Sequence, residues 1–192
     1  MKNFLHNYSY SAVKMFVNQF VMSLFGSMLS MATTAANNNT LAMIVSILAV
    51  IFYMFLLYTL AWEVGAKDRI AVDMGKMKYH PHMGLAISAF ANIPNFLVAL
   101  IYAIGTPFMQ FKWGGTMCAV AKFFTVLFEG MYLGLTTTLS IGGTTLHFFW
   151  WTYFLVTIPA MITSWIAYYL GFKNKKFTTL FDYQSPNKTK KR

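Results

Sequence analysis

Residues 41–62 read LAMIVSILAVIFYMFLLYTLAW, 22 consecutive positions without one charged side chain. As a helix rising about 1.5 Å per residue, such a run covers a hydrocarbon core of about 30 Å. The rest of the chain has the same character. It is 57% hydrophobic and 10% charged, with a mean hydropathy of +0.52. A soluble domain carries about 25% charged residues because its surface must be wetted, and this chain has too few to do so. The expected fold is all-α, a polytopic transmembrane helix bundle forming one domain over residues 1–172, followed by a basic cytosolic tail over 173–192.

Five spans are legible by hydropathy, at residues 11–36, 41–62, 83–104, 116–139 and 148–170. The Asn37, Asn38, Asn39, Thr40 turn separates the first two, and Gly105, Thr106 and Pro107 close the third. The last opens on Phe148, Phe149, Trp150 and Trp151 and closes on Tyr168 and Tyr169, rings suited to the headgroup zones. Asn18 and Gln19 interrupt the first apolar stretch, and it reads as a retained helix rather than a cleaved signal peptide. The second span carries almost nothing polar and is expected to face lipid. Between the second and third, Ala66, Ile70, Met74 and Met77 recur at helical spacing, which predicts a surface amphipathic helix over 66–78.

Fifteen Lys and Arg oppose five Asp and Glu. The basic residues flank apolar runs, where they set membrane orientation and do not signal nucleic acid. Lys2 and Lys14 place the N-terminus inside, and two crossings bring Lys67, Arg69, Lys76 and Lys78 inside as well. Five crossings would export the tail with Lys173, Lys175, Lys176, Lys188, Lys190, Lys191 and Arg192. An even number puts thirteen basic residues inside, so a sixth crossing or a re-entrant segment is expected within 105–147. The expected location is a bacterial plasma membrane.

In the fourth span Cys118, Lys122, Thr125, Glu129, Tyr132 and Thr136 fall at steps of three and four, one face of a helix expected to be continuous. Phe123, Phe124, Leu127, Met131 and Leu135 lie opposite, suited to lipid or apolar packing. A carboxylate at mid-membrane costs about 2.5–3.5 kcal/mol on insertion scales, so Glu129 should turn inward and find a partner. Lys122 is seven residues away, about 10 Å along the axis; it either joins the site or snorkels to the headgroups. The third span has a matching stripe of Gly84, Ser88, Asn92, Asn95, Ala99 and Tyr102, with a kink expected at Pro94. The first has Gln19, Ser23, Ser27, Ser30 and Thr34; the last has Tyr153, Thr157, Ala160, Ser164, Ala167 and Gly171, with a second kink at Pro159. Small residues are ordinary helix-packing chemistry. Two Asn, a Pro and a Glu at similar depth fit a transporter's mid-membrane site, with Glu129 expected to meet Asn92 and Asn95 directly or through water.

The chain has no GxSxG, HExxH, Walker or glycine-rich phosphate motif, and an enzyme is not expected. His80, His82 and 14 Met hint at a soft metal, but the Met are scattered as apolar filler, and neither a metal nor a cofactor is expected. The run Trp62, Glu63, Val64, Gly65, Ala66, Lys67, Asp68, Arg69, Ile70, with Asn92, Ile93, Pro94, Asn95 and the ending Tyr169, Leu170, Gly171, Phe172, Lys173, resembles small uncharacterised multi-pass membrane proteins of Gram-positive bacteria. That resemblance implies no activity. By size alone the chain is similar to the substrate-binding membrane subunit of vitamin-type uptake transporters, an analogy of fold. Two functions are therefore expected. One is a small-solute transporter or transporter subunit, with Asn92, Asn95, Lys122, Thr125, Glu129 and Tyr132 lining a polar cavity and an energising ATPase as a cytosolic partner. The other is an accessory protein that contacts another membrane protein or anionic lipid through Ile70, Met74, Met77, Lys173, Lys175 and Lys176.

Overall fold

Two long helices set the frame, α1 over Lys2–Ala35 and α2 over Asn39–Asp73, and Asn37 and Asn38 between them make the turn. Asn37 takes a left-handed φ of 53° and Asn38 N–H returns to the Thr33 carbonyl at 3.1 Å, a left-handed helix stop that Asn tolerates better than most residues. The Asn38 side chain then accepts the Leu41 N–H at 2.9 Å and caps α2. The remaining elements are α3 (Met83–Ala91), α4 (Ile93–Gly105), α5 (Lys112–Glu129), α6 (Leu133–Thr138), α7 (Thr152–Leu155) and α8 (Ile158–Phe172), plus a hairpin of β1 (Ser140–Ile141) and β2 (Thr144–Thr145). Gly142 and Gly143, both at positive φ, turn the hairpin. This computed structural model describes residues 2–175; Lys176 and the tail after it lie outside the described residues.

Four stretches are long and apolar enough to cross a membrane: His6–Ala35, Asn39–Asp73, Lys112–Thr138 and Thr152–Phe172. The pair α3–α4 qualifies as a fifth if taken as one span, bent by 57°. Its break falls at Asn92, and Pro94 sits in the first turn of α4, where a missing N–H costs nothing. Pro159 likewise opens α8. The expected kinks are therefore helix restarts. Residues 105–147 hold α5, α6, the hairpin and three short 3₁₀ turns, and among the described residues no second helix of spanning length.

Two expectations are corrected. The separate surface helix over 66–78 does not form: α2 runs on to Asp73 and the chain then turns through Gly75 at φ 70°. Ala61, Val64, Gly65 and Asp68 continue the buried seam of α2, so packing holds the helix together past the apolar run. Nor is α2 simply a lipid-facing helix. Ala42, Ser46, Ala49, Tyr53, Leu57 and Ala61 are buried on one edge while Ile44, Leu48, Ile51 and Phe55 are exposed on the others.

The contacts give each helix a direction. Tyr8 and Tyr168 both donate to Asp68 Oδ2, at 2.8 and 2.7 Å, which brings the start of α1, the end of α2 and the end of α8 together. Met54 meets Thr163, and Gly65 and Gly171 press against the backbones of Tyr168 and Trp62, so α8 runs parallel to α2. Gly84 lies on Ser164 and Tyr168, so α3 starts at this same end. At the opposite end Tyr102 of α4 packs edge-on to Tyr153 of α7, and Thr138 reaches the Asn39 carbonyl beside the α1–α2 turn. Since α3–α4 arrives at that far end and α7–α8 departs from it, α5 and α6 leave from it and come back to it.

Candidate intramembrane site

The place where α5 ends and α6 begins is the turning point. Glu129 departs from helical geometry at φ −128°, ψ 15°, a 3₁₀ turn covers Gly130–Tyr132, and Tyr132 sits at φ −88°, ψ −3°. A helix that breaks inside hydrocarbon leaves backbone groups without intrahelical partners, and they must be met by neighbouring side chains. Here α1 and α2 supply them. Ser23 Oγ accepts from the Gly130 N–H and lies 3.1 Å from the Val126 carbonyl, and Gln19 Nε2 donates to the Phe128 carbonyl at 3.2 Å. Ser46 Oγ donates to the Met131 carbonyl. Gln19 and Ser23 of α1 and Ser46 of α2 thus hold the break. Close approach is possible because a Cβ on Gly26 would stand 2.5 Å from the Met131 Cα, and one on Gly134 2.2 Å from the Ala42 carbonyl oxygen.

Glu129 is 6% exposed, and neither of its carboxyl oxygens has a hydrogen-bond partner. Tyr132, 7% exposed, also has an unpartnered hydroxyl. Tyr53, Tyr132 and Tyr153 lie within electrostatic range of the Glu129 carboxyl. Thr125 is buried one turn earlier, its hydroxyl returned to the Ala121 carbonyl at 3.0 Å. Asn92 and Asn95 are buried and bonded to each other, Asn95 Nδ2 to Asn92 Oδ1 at 2.9 Å, while Asn92 Nδ2 donates to the Ser88 carbonyl at 2.8 Å. The Asn95 Oδ1 has no partner. No direct hydrogen bond joins Glu129 to either asparagine. The antiparallel register of α4 on α5 pairs Gly105 with Gly114 and Tyr102 with Cys118; extended, it sets Asn92 level with Glu129 and Asn95 level with Thr125. Lys122 stays apart from Glu129. Its ammonium lies 4.2 Å from the Phe148 ring centroid and 5.6 Å from that of Tyr102, the alternative of a partly exposed cation turned to aromatic rings.

The stripes of α3–α4 and α7–α8 are buried throughout, from Gly84 to Tyr102 and from Tyr153 to Gly171. On α5 and α6 the side expected to suit lipid or apolar packing divides: Phe123 and Phe124 are exposed, and Met131 is fully buried in the apolar core. The fourth span is not continuous, and the break turns Met131 inward against Gly26. On α1 the wheel slips at its end, with Thr33 buried in place of Thr34.

At the Asp68 end, Ile70 and Met74 are 58% and 55% exposed, whereas Met77 packs partly on the core. Lys173 and Lys175 are exposed. At the other end His147 lies beside Tyr153, whose hydroxyl donates to the His147 carbonyl at 2.6 Å. Burial, and then the nearby Lys122 charge, hold the His147 pKa below its ordinary value. Among the described residues no three His, Cys, Asp or Glu converge to hold a metal ion.

No family model matches the chain, and comparisons with curated proteins and with solved structures find no match. Sequence reasoning missed Tyr53, Ser46 and Asp68. All three lie on one seam of α2 at helical spacing, and Ser46 and Tyr53 were visible as polar side chains seven apart within the apolar run.

Proposed function

We propose that the chain is a small-solute transporter or transporter subunit of a bacterial plasma membrane, with its site at Glu129. It crosses four times, through α1, α2, α3–α4 and α7–α8, and α5–α6 enters from the outer face as a re-entrant limb that turns at Glu129. The basic residues around Asp68 mark the cytosolic end. The observation that carries this reading is the carboxyl itself, enclosed and with both oxygens unpartnered. The backbone of the break is already satisfied by Ser23, Gln19 and Ser46, so Glu129 is not needed to hold it. A buried carboxyl without a partner costs several kcal/mol or must take up a positive charge. A proton, a cation or a solute amine supplies what the protein leaves out, with Tyr132 and Asn95 as further unpartnered groups to orient it.

The test is mass spectrometry of small molecules retained by the full chain purified from its native membrane, for wild type and Glu129→Gln. Retention of a solute by wild type and its loss by about tenfold or more in the variant is expected, from the loss of one charged contact. An identical complement of small molecules in both overturns the reading. Glu129→Leu removes both unpartnered oxygens and should leave the unfolding midpoint unchanged or raised. A fall of more than about 2 kcal/mol would make the carboxyl a structural group. An accessory role is the second reading. It is favoured by the exposed Ile70 and Met74, a surface suited to another membrane protein or to anionic lipid.

A further inference from the structure

At the cytosolic end, away from Glu129, a cleft of about 570 Å³ opens between the end of α2 and the end of α8, lined by Arg69, Asp73, Tyr79, Tyr169, Phe172, Lys173 and Lys175. Its size is that of a small-ligand site. Three of its seven residues are cations and one is a carboxylate, and that carboxylate is occupied by Arg69 through Nε at 3.6 Å. Among the described residues Lys173 and Lys175 form no ion pair. The floor is aromatic: the Tyr79 and Phe172 ring centroids are 4.0 Å apart, and the Lys173 ammonium lies 4.6 Å from the Tyr169 centroid.

The helix end at this point would repel an anion if its carbonyls were bare. They are not. The N–H groups of Lys173, Asn174 and Lys175 return to the carbonyls of Tyr169, Gly171 and Leu170 at 3.1, 2.9 and 2.9 Å, with Asn174 at φ 53°. Trp62 Nε1 fixes the Lys175 carbonyl at 2.9 Å, and Trp165 Nε1 donates to the Pro81 carbonyl at 3.1 Å. Two indoles anchored beside the cleft put it at headgroup depth, where aromatic residues gather.

We infer that this cleft binds the phosphate of an anionic phospholipid, with Arg69, Lys173 and Lys175 around the headgroup and the rings of Tyr79 and Phe172 against its glycerol and upper chains. The proposal goes beyond the transport reading, since it involves no residue of the Glu129 site. It commits to a lipid over a soluble phosphate because the cations share the cleft with apolar rings. Cytosolic leaflets are also where anionic lipids are met by basic clusters.

The experiment is native mass spectrometry of the full chain in detergent with added phosphatidylglycerol, phosphatidylcholine or inorganic phosphate. Wild type should hold phosphatidylglycerol in preference to phosphatidylcholine. A variant with Arg69→Gln, Lys173→Gln and Lys175→Gln should bind it roughly a hundredfold more weakly, about fivefold for each cation removed. The pair Lys173→Gln and Lys175→Gln alters only exposed side chains and should still lose roughly twentyfold, so a folding defect in the triple variant leaves the proposal testable. Equal phosphatidylglycerol binding by wild type and the pair overturns it. So does displacement of the lipid by millimolar inorganic phosphate, or a co-purifying protein that protects the cleft while no lipid is bound.

Discussion

Asp68 is where three helices are tied, and removing it makes a quantitative test of the bundle. Its Oδ2 takes hydroxyl donors from Tyr8 and Tyr168 at 2.8 and 2.7 Å, and those tyrosines are 4% and 1% exposed. A hydrogen bond to a charged group contributes about 1.5–3 kcal/mol. Asp68→Ala breaks two and leaves two enclosed phenols unpartnered, so about 3–6 kcal/mol should be lost. Asp68→Asn keeps an acceptor but not its charge and should lose roughly half as much, since charge-assisted bonds are about twice as strong as neutral ones. Tyr8→Phe and Tyr168→Phe should each cost about 1.5–3 kcal/mol. Combined, they strip the carboxylate of both donors and should cost at least about 1 kcal/mol more than their sum, because the last donor lost leaves a buried charge alone. Reversible unfolding in mixed micelles measures all five variants. Additivity within about 0.5 kcal/mol, or an Asp68→Ala variant within about 1 kcal/mol of wild type, would refute this account of how the ends of α1, α2 and α8 are joined.

Three further outcomes are expected. Single cysteines at positions 76 and 175 should resist an impermeant thiol reagent in intact cells while one at 141 reacts; reaction at 175 with silence at 76 would mean an odd number of crossings. Gly65→Ala and Gly171→Ala each place a Cβ 2.1 Å from a carbonyl oxygen of the facing helix, which must force α2 and α8 apart at about 1–3 kcal/mol each. The control Gly115→Ala, whose nearest neighbour is at 3.6 Å, should be neutral or gain up to about 1 kcal/mol of helix propensity, and unfolding midpoints compare the three. The depressed pKa of His147 means that the folded protein favours neutral imidazole. Its stabilising share is present above the unfolded value of about 6.5 and is lost as pH falls from there through the folded pKa. Midpoints recorded from pH 8 to pH 5 should drop less in His147→Gln than in wild type, and parallel profiles would remove His147 from that account.

Much of the packing was legible from spacing alone. Gly84, Ser88, Asn92, Asn95, Ala99 and Tyr102 read as one face and are one buried face, because small and polar side chains avoid lipid. The re-entrant turn proposed for α5–α6 rests in sequence on a charge imbalance that favours an even count. Gly130 is one of several glycines in 105–147 that could break a helix, but the continuous polar face argues against a split there. The groups that complete the break, Gln19, Ser23 and Ser46, lie on other helices about 80 to 110 residues away. Asp68 escaped notice for the same reason. It sits among exposed charges in sequence, and only the arrival of Tyr8 and Tyr168 encloses it. Lys122 shares the phase of Glu129, but at about 10 Å along one axis the sequence leaves it either joining the site or snorkelling, and the structure turns it to the rings of Phe148 and Tyr102.

The break at Gly130–Tyr132 also has a consequence for biogenesis. Its backbone groups are completed by side chains of α1 and α2, so a newly made α5–α6 alone in lipid would expose them to hydrocarbon at several kcal/mol apiece. On the re-entrant reading proposed above, the limb should enter the bilayer after α1 and α2 have formed its socket. They are also the first to leave the ribosome, and order of synthesis matches order of need. Because that reading has the limb depart from and return to one face, it requires no charged loop to be translocated after it. On the same reading Glu129 would pass from water into its socket without traversing the lipid as a lone carboxylate.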